Sequence, residues 1–390
     1  MDIKFSTTGI RGVSNIDMTA DLALKLGKTF GTFLNGKGTV LVACDTRTSS
    51  EMLRSALISG LLSTGVKVVD AGVAPIPALS HCVKEDYDAG VMVTSSHNPP
   101  EWNGVKFILS DGVEISEADE KRFLDLYKEE PIQANWDSVG TLKETNILEK
   151  YSIALINSIG SDIVRAKKFK VVLDTGNGAQ SVLMPGLLRK LGCEVIELHT
   201  EPKGVFDRPS EPRPETLGKL IKKVQSEDVD FGVAFDCDGD RCIFVDERGS
   251  FVMGDVTGSL FARELFRKNP GGKIITTVST SKIIDDIAEA EGGEVIKTKV
   301  GAKYVGEALM QEKALYGFEE NGGNIFPDIS FTRDGSATAV KILELIAKSG
   351  KSFSGLVAEL PKYYQVKSKV ECSEEGKNNI TKIKAAIDRK

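Results

Sequence analysis

Histidine is scarce in this chain of 390 residues: three occur, beside two tryptophans and six cysteines. So few imidazoles, with no G-x-S-x-G turn around any serine, give little support to a Ser-His-Asp hydrolase. The cysteines (Cys44, Cys82, Cys193, Cys237, Cys242, Cys372) form no C-x-x-C pair, which argues against a zinc site or a disulfide framework and leaves them as small buried apolar residues. No run of about 18 uncharged apolar residues occurs, and Met1 to Arg11 lacks the apolar core of a secretory leader, so a soluble, cytoplasmic protein is expected. Blocks of like charge are missing too. The net charge of −6 is spread along the chain, which opposes both a nucleic-acid footprint and a polybasic membrane patch and points to a small-molecule partner.

What is present is a globular composition, 41% apolar and 27% charged, long enough for two to four domains. One plan recurs: an apolar run ends in a small or acidic loop, a helical stretch follows, and a Gly precedes a second apolar run. The copies are Thr39–Asp45 with Val66–Asp70, Lys170–Asp174 with Glu194–Leu198, and Lys273–Val278 with Glu294–Thr298. Continuous apolar strands alternating with amphipathic helices suit sheets covered on both faces. A spacing of roughly 100–130 residues is too long for a solenoid and predicts three similar α/β domains in series with mixed, mostly parallel sheets. The expected units are residues 1–150, 151–250 and 251–362. From 363 to 390 a strand-like run, Tyr364–Cys372, and a charged helical stretch are too short to bury a core, and read as the start of a truncated fourth α+β domain.

In such sheets ligands bind beyond the carboxyl ends of the strands, so the polar loops there carry the chemistry. Thr94-Ser95-Ser96-His97-Asn98-Pro99 follows the apolar run Ala89–Val93, with Lys106 further on. Ser96 beside His97 and Lys106 suits a nucleophile or phosphate carrier, although a turn that merely caps a strand explains the same residues. Asp236, Asp238 and Asp240, at alternate positions of an extended loop, point the same way and can converge on one hard cation. An EF-hand is excluded because Arg241 occupies its obligatory glycine position and both flanks read as strands. The carboxylate and amide side chains of Gly317–Asn324 offer the acceptors and donors that vicinal hydroxyls need, although a plain Gly/Asn loop explains the same residues. Arg11, Arg47 and Lys303 stand at glycine or strand-end turns as candidate anion ligands. Gly31–Gly38 is no Walker A loop, since a helical stretch precedes it, and Asp174-Thr-Gly-Asn-Gly178 lacks the third glycine of a dinucleotide fingerprint.

Taken in order, these loops resemble the α-D-phosphohexomutase family of phosphoglucomutases, phosphomannomutases and phosphoglucosamine mutases. Phe5–Gly12 is similar to the family's N-terminal signature, Thr94–Lys106 to its phosphoserine loop, Asp236–Arg241 to its magnesium loop and Gly317–Gly323 to its sugar loop. The resemblance implies interconversion of hexose 1-phosphate and hexose 6-phosphate, of mannose or glucose, through phosphoserine at Ser96 and a hexose 1,6-bisphosphate, which also serves as activator. It further implies one Mg²⁺ on Asp236, Asp238, Asp240 and Ser96, with Lys106, Arg241 and His97 near the transferring group and Glu319 and Asn321 on the sugar hydroxyls. A phosphorylated hexose is the expected partner, with a homodimer left open. Two features depart from the pattern: Gly323 stands where some members carry histidine, and the family's Arg-x-Ser-Gly-Thr-Glu-Pro phosphate loop is missing. Three alternatives follow: a phosphoglucosamine mutase, an inactive hexose-phosphate-binding relative lacking the fourth domain, or a Mg²⁺ phosphatase that needs only the aspartates.

Overall fold

The computed structural model describes residues 3–5 and 9–364. The expected fourth unit beyond Tyr364, Cys372 included, lies outside the described residues; the other five cysteines are buried free thiols. The first sheet contains β1 (Ile10–Val13), β2 (Thr39–Cys44), β3 (Lys67–Val73), β4 (Ala89–Val93), β5 (Trp102–Leu109) and β6 (Leu142–Glu144), in the order β1-β5-β4-β2-β3-β6. The second holds β7 (Lys170–Asp174), β8 (Glu194–Leu198), β9 (Phe231–Phe235), β10 (Cys242–Asp246) and β11 (Phe251–Val252), ordered β11-β10-β9-β7-β8. The third holds β12 (Lys273–Thr277), β13 (Glu294–Thr298), β14 (Tyr316–Phe318) and β15 (Asn324–Ile325), ordered β13-β12-β14-β15.

The same four-strand core stands in all three sheets. A central strand (β2, β7, β12) pairs in parallel with the next strand on one side and, on the other, with a third (β4, β9, β14), which then turns back into an antiparallel fourth (β5, β10, β15). Parallel neighbours need a covered crossover: helix Ser50–Ser63 between β2 and β3 buries Leu53, Leu57 and Leu61, each worth about 1.5–3 kcal/mol. The antiparallel return needs none, so a short polar loop suffices. That loop is Thr94–Glu101 in the first unit, Asp236–Arg241 in the second and Glu319–Gly323 in the third. The three stretches picked out for their chemistry therefore occupy one topological position, where strand direction reverses.

Three differences from expectation have local causes. The N-terminal signature is partly an edge strand, with Ile10 paired to Val105. The second sheet runs on to Val252, two residues past the expected boundary, because β11 closes a hairpin on β10. In the second unit a 3₁₀ turn, Ala179–Val182, precedes a short helix, Met184–Lys190, whose early Pro185 favours a new start there. The cores also merge. One face of the first sheet has its own core around Phe30, Phe107 and Phe123, whereas the other continues through Tyr151 to Phe231 and Phe353. Tyr151, fully buried on helix Leu148–Asn157, donates to the Asp334 carboxylate at 2.6 and 2.7 Å, tying the helix that follows the first sheet to the third unit. No helix among the described residues is long and apolar enough to cross a membrane.

Candidate active site

Ser96 sits on the β4–β5 loop with φ +51°, a left-handed conformation that costs a non-glycine residue about 1 kcal/mol and persists only where its surroundings impose it. They do. The Ser96 amide donates to Thr94 Oγ1 at 2.9 Å, and its carbonyl accepts from Arg47 Nη2 at 2.7 Å and from Ser210 Oγ at 3.3 Å. The hydroxyl is thereby aimed across the domain boundary, donating to Asp236 Oδ2 at 3.2 Å, with His97 Nδ1 3.5 Å away. Burial, followed by the positive Arg241, lowers the His97 pKa to about 4, so this imidazole is neutral near pH 7.

Arg47 departs from expectation. Its Nε meets Asp45 Oδ2 at 3.0 Å, Nη1 serves the carbonyls of Pro99 and Trp102, and Nη2 those of Ser96 and Asn98. All five N–H donors of the guanidinium are engaged inside the protein, so none remains for a substrate phosphate; Arg47 staples the serine loop.

The aspartate loop turns at Gly239 (φ +75°), where a Cβ would stand 2.5 Å from Gln180 Nε2. Asp236, Asp238 and Asp240 are buried, and one carboxylate oxygen from each lies within 4.8 Å of the others. Lys106, also buried, reaches Asp238 at 3.0 Å, Glu114 at 3.4 Å and Asp240 at 3.9 Å. Burial disfavours its charge, but these carboxylates outweigh burial and raise its pKa. Asp238 likewise resists burial because Lys106 holds it well below the usual carboxylate range, whereas burial and then Asp240 and Asp238 push Asp236 well above it. Buried oxygens Asp238 Oδ1 and Asp240 Oδ1 have no hydrogen-bond partner among the described residues. Crowded carboxylates with unpartnered oxygens fit a hard divalent cation. Arg11 lies on the same cluster: burial lowers its pKa, opposed by Asp238, Glu114 and Asp240. Arg241 gives its amide to Asp236 Oδ1 at 3.1 Å and its Nη1 to Glu211 at 2.7 Å.

The third loop docks onto the second through Cys242 N donating to the Gly322 carbonyl at 3.1 Å. Glu319, 2% exposed, accepts from Gly301 N at 3.0 Å and from Arg333 Nη1 at 3.0 Å. Asn321 Oδ1 accepts from Gly323 N at 3.0 Å and shapes the turn. Lys303 bridges to the first unit through Glu120 at 3.0 Å, and lines a small cavity with Glu114, Asp240 and Arg333.

Sequence reasoning missed Arg333 and the segment Asp207–Pro214. Arg208 spends its donors on Asp174 and on the carbonyls of Pro209, Ser210 and Phe235, while Ser210 Oγ also accepts from Cys237 N at 3.0 Å. That segment therefore locks the serine and aspartate loops together. Three prolines interleaved with two arginines and a glutamate were the available signal. The Asp174–Gly178 turn, no nucleotide fingerprint, supports the aspartate loop, with Ala179 N donating to the Cys237 carbonyl at 2.7 Å.

Three serial α/β units with this strand order match known family domains. Residues 2–133, 149–249 and 253–364 match the alpha/beta/alpha domains I, II and III of phosphoglucomutase/phosphomannomutase. A Thermococcus kodakarensis protein named phosphoglucomutase/phosphomannomutase is 43% identical over 393 residues, covering 99% of this chain and 86% of that protein. A Pyrococcus abyssi protein named "Probable phosphoglucosamine mutase" is 42% identical, covering 94% of this chain and 81% of that protein. Among solved structures, a phosphoglucomutase/phosphomannomutase family protein from Burkholderia thailandensis superposes with a TM-score of 0.80 at 30% identity, over 91% of this chain and 79% of that one. The chain belongs to the α-D-phosphohexomutase family, whose members are isomerising enzymes.

Proposed function

We propose that the protein interconverts the 1- and 6-phosphates of mannose or glucose, with Ser96 carrying the phosphoryl group. The first unit supplies the phosphoserine, the second the metal ligands and the third the sugar contacts. The observation that carries this reading is the Ser96 hydroxyl, fixed on a left-handed turn and directed at Asp236 3.2 Å away. A Mg²⁺ on Asp236, Asp238, Asp240 and the serine-borne phosphate would balance the dianion and polarise the phosphoryl group. The phosphoryl group leaves Ser96 Oγ for the free hydroxyl of a bound hexose monophosphate. The resulting 1,6-bisphosphate turns over, and its other phosphate returns to Ser96. Lys106, Arg241 and Arg11 are the cations beside the transferring group, where positive charge stabilises the spreading negative charge best. Glu319 and Asn321 take the sugar hydroxyls, and an added trace of bisphosphate primes the enzyme. Glucosamine phosphate is the second reading, favoured by the similarity to the Pyrococcus abyssi relative.

Turnover of glucose 1-phosphate, mannose 1-phosphate and glucosamine 1-phosphate, each with a trace of its bisphosphate, ranks the sugars. Mass spectrometry of the tryptic peptide containing Ser96 tests the carrier. Ser96→Ala should lower turnover about a thousandfold or more while keeping the fold; wild-type turnover in that variant would remove the basis of the proposal.

A further inference from the structure

Arg333 precedes the helix Gly335–Ser349 and is 6% exposed. Its guanidinium is divided between two loops. Nη1 holds Glu319 Oε2 at 3.0 Å, Nη2 contacts Asp240 Oδ2, and Nε has no hydrogen-bond partner among the described residues. The side chain also explains a glycine: a Cβ built on Gly323 would lie 2.2 Å from Arg333 Cδ, so the arginine stem occupies the space that a larger residue at 323 would need. Gly323 and Arg333 thus act as a pair.

We propose that Arg333 is a positioning residue that couples cation loading at Asp240 to the orientation of Glu319. This rests on the reading of Asp236, Asp238 and Asp240 as metal ligands. The guanidinium and a divalent cation draw on the charge of one carboxylate. Loading the cation weakens the hold of Asp240 on Arg333 and leaves the fork to Glu319. By reciprocity, whatever draws Arg333 towards Glu319 tightens cation binding by the same factor.

Mn²⁺ serves as the probe, titrated by electron paramagnetic resonance, with glucose 1-phosphate binding to the unphosphorylated enzyme followed by calorimetry at saturating Mn²⁺. Removing the competing charge in Arg333→Met should tighten Mn²⁺ binding about tenfold and weaken glucose 1-phosphate binding about tenfold, two shifts of opposite sign that a merely loosened fold would not give. Arg333→Lys keeps the charge without the fork, so its Mn²⁺ affinity should stay within about threefold of wild type while sugar-phosphate binding remains weakened. Equal or weaker Mn²⁺ binding by a folded Arg333→Met protein overturns the proposal. Should that variant not fold, Glu319→Gln replaces it: releasing the fork to Asp240 should weaken Mn²⁺ binding about threefold, and an unchanged affinity is equally fatal. A wild-type protein that binds no Mn²⁺ sinks the metal reading and the coupling together, whereas wild-type binding with indifferent variants sinks the coupling alone.

Discussion

Replacing Arg47 by Met separates two roles that an arginine beside a phosphate-carrying loop can play. The variant keeps the aliphatic stem and deletes five N–H donors. Asp45, 1% exposed, retains Ser50 Oγ at 2.6 Å and Thr94 Oγ1 at 2.7 Å but loses its cation, a loss costing about 3 kcal/mol for a buried charge. The Ser96 carbonyl keeps only the Ser210 contact at 3.3 Å, and the left-handed Ser96 backbone, worth about 1 kcal/mol of strain, is no longer imposed. The carbonyls of Asn98, Pro99 and Trp102 are near enough to the surface to recruit water, so they add little. The ordered loop should therefore lose about 3–4 kcal/mol relative to other conformations, which lowers kcat by roughly several hundredfold at nearly unchanged KM. Hydrogen exchange of the 94–102 amides should quicken in parallel, and phosphorylation of Ser96 by the bisphosphate should slow. A substrate-binding Arg47 predicts the opposite division: KM rises, kcat holds and the loop stays protected. That result would refute the staple.

Two other variants test the buried charges. Lys106→Met leaves Asp238, Asp240 and Glu114 facing one another without their shared ammonium, so the metal-free protein should lose about 3–5 kcal/mol. Mg²⁺ should then raise the melting temperature more in the variant than in the wild type, and equal increments would count against the cluster as a cation site. Asp334 tests a pH dependence. Burial raises its pKa from 3.8 to about 6, against the hydrogen bonds from Ala337 N and Tyr151. A carboxyl that holds its proton more tightly when folded stabilises the fold below about pH 4, and that contribution fades as pH rises through 6, a change of about 3 kcal/mol. Asp334→Asn should therefore gain on the wild type between pH 4 and pH 7.5 in chemical denaturation; a constant difference would show that Asp334 ionises normally.

Much of this site was legible because its parts are local. Alternating apolar strands and helices exposed the threefold repeat, and each strand-turn-strand loop carries its own chemistry: Ser96 and His97, the three aspartates, Glu319 and Asn321. Periodicity and turn composition are properties of neighbouring residues, so a sequence displays them. The partners of those loops are not local. Ser96 meets Asp236 across 140 residues, Lys106 meets Asp238 across 132, and Arg333 reaches Asp240 across 93.

Only the packing of the three units decided whether an arginine grips a ligand or a loop. Arg47, expected to bind substrate, became a staple because the carbonyls of its own domain surround it. Arg208 and Arg333, unremarked in the sequence, join separate loops because the merged core brings the sheet ends together. Local sequence determined which loops carry reactive groups. Tertiary burial determined which charges face one another, because a guanidinium withdrawn from water must find acceptors wherever the fold has left them.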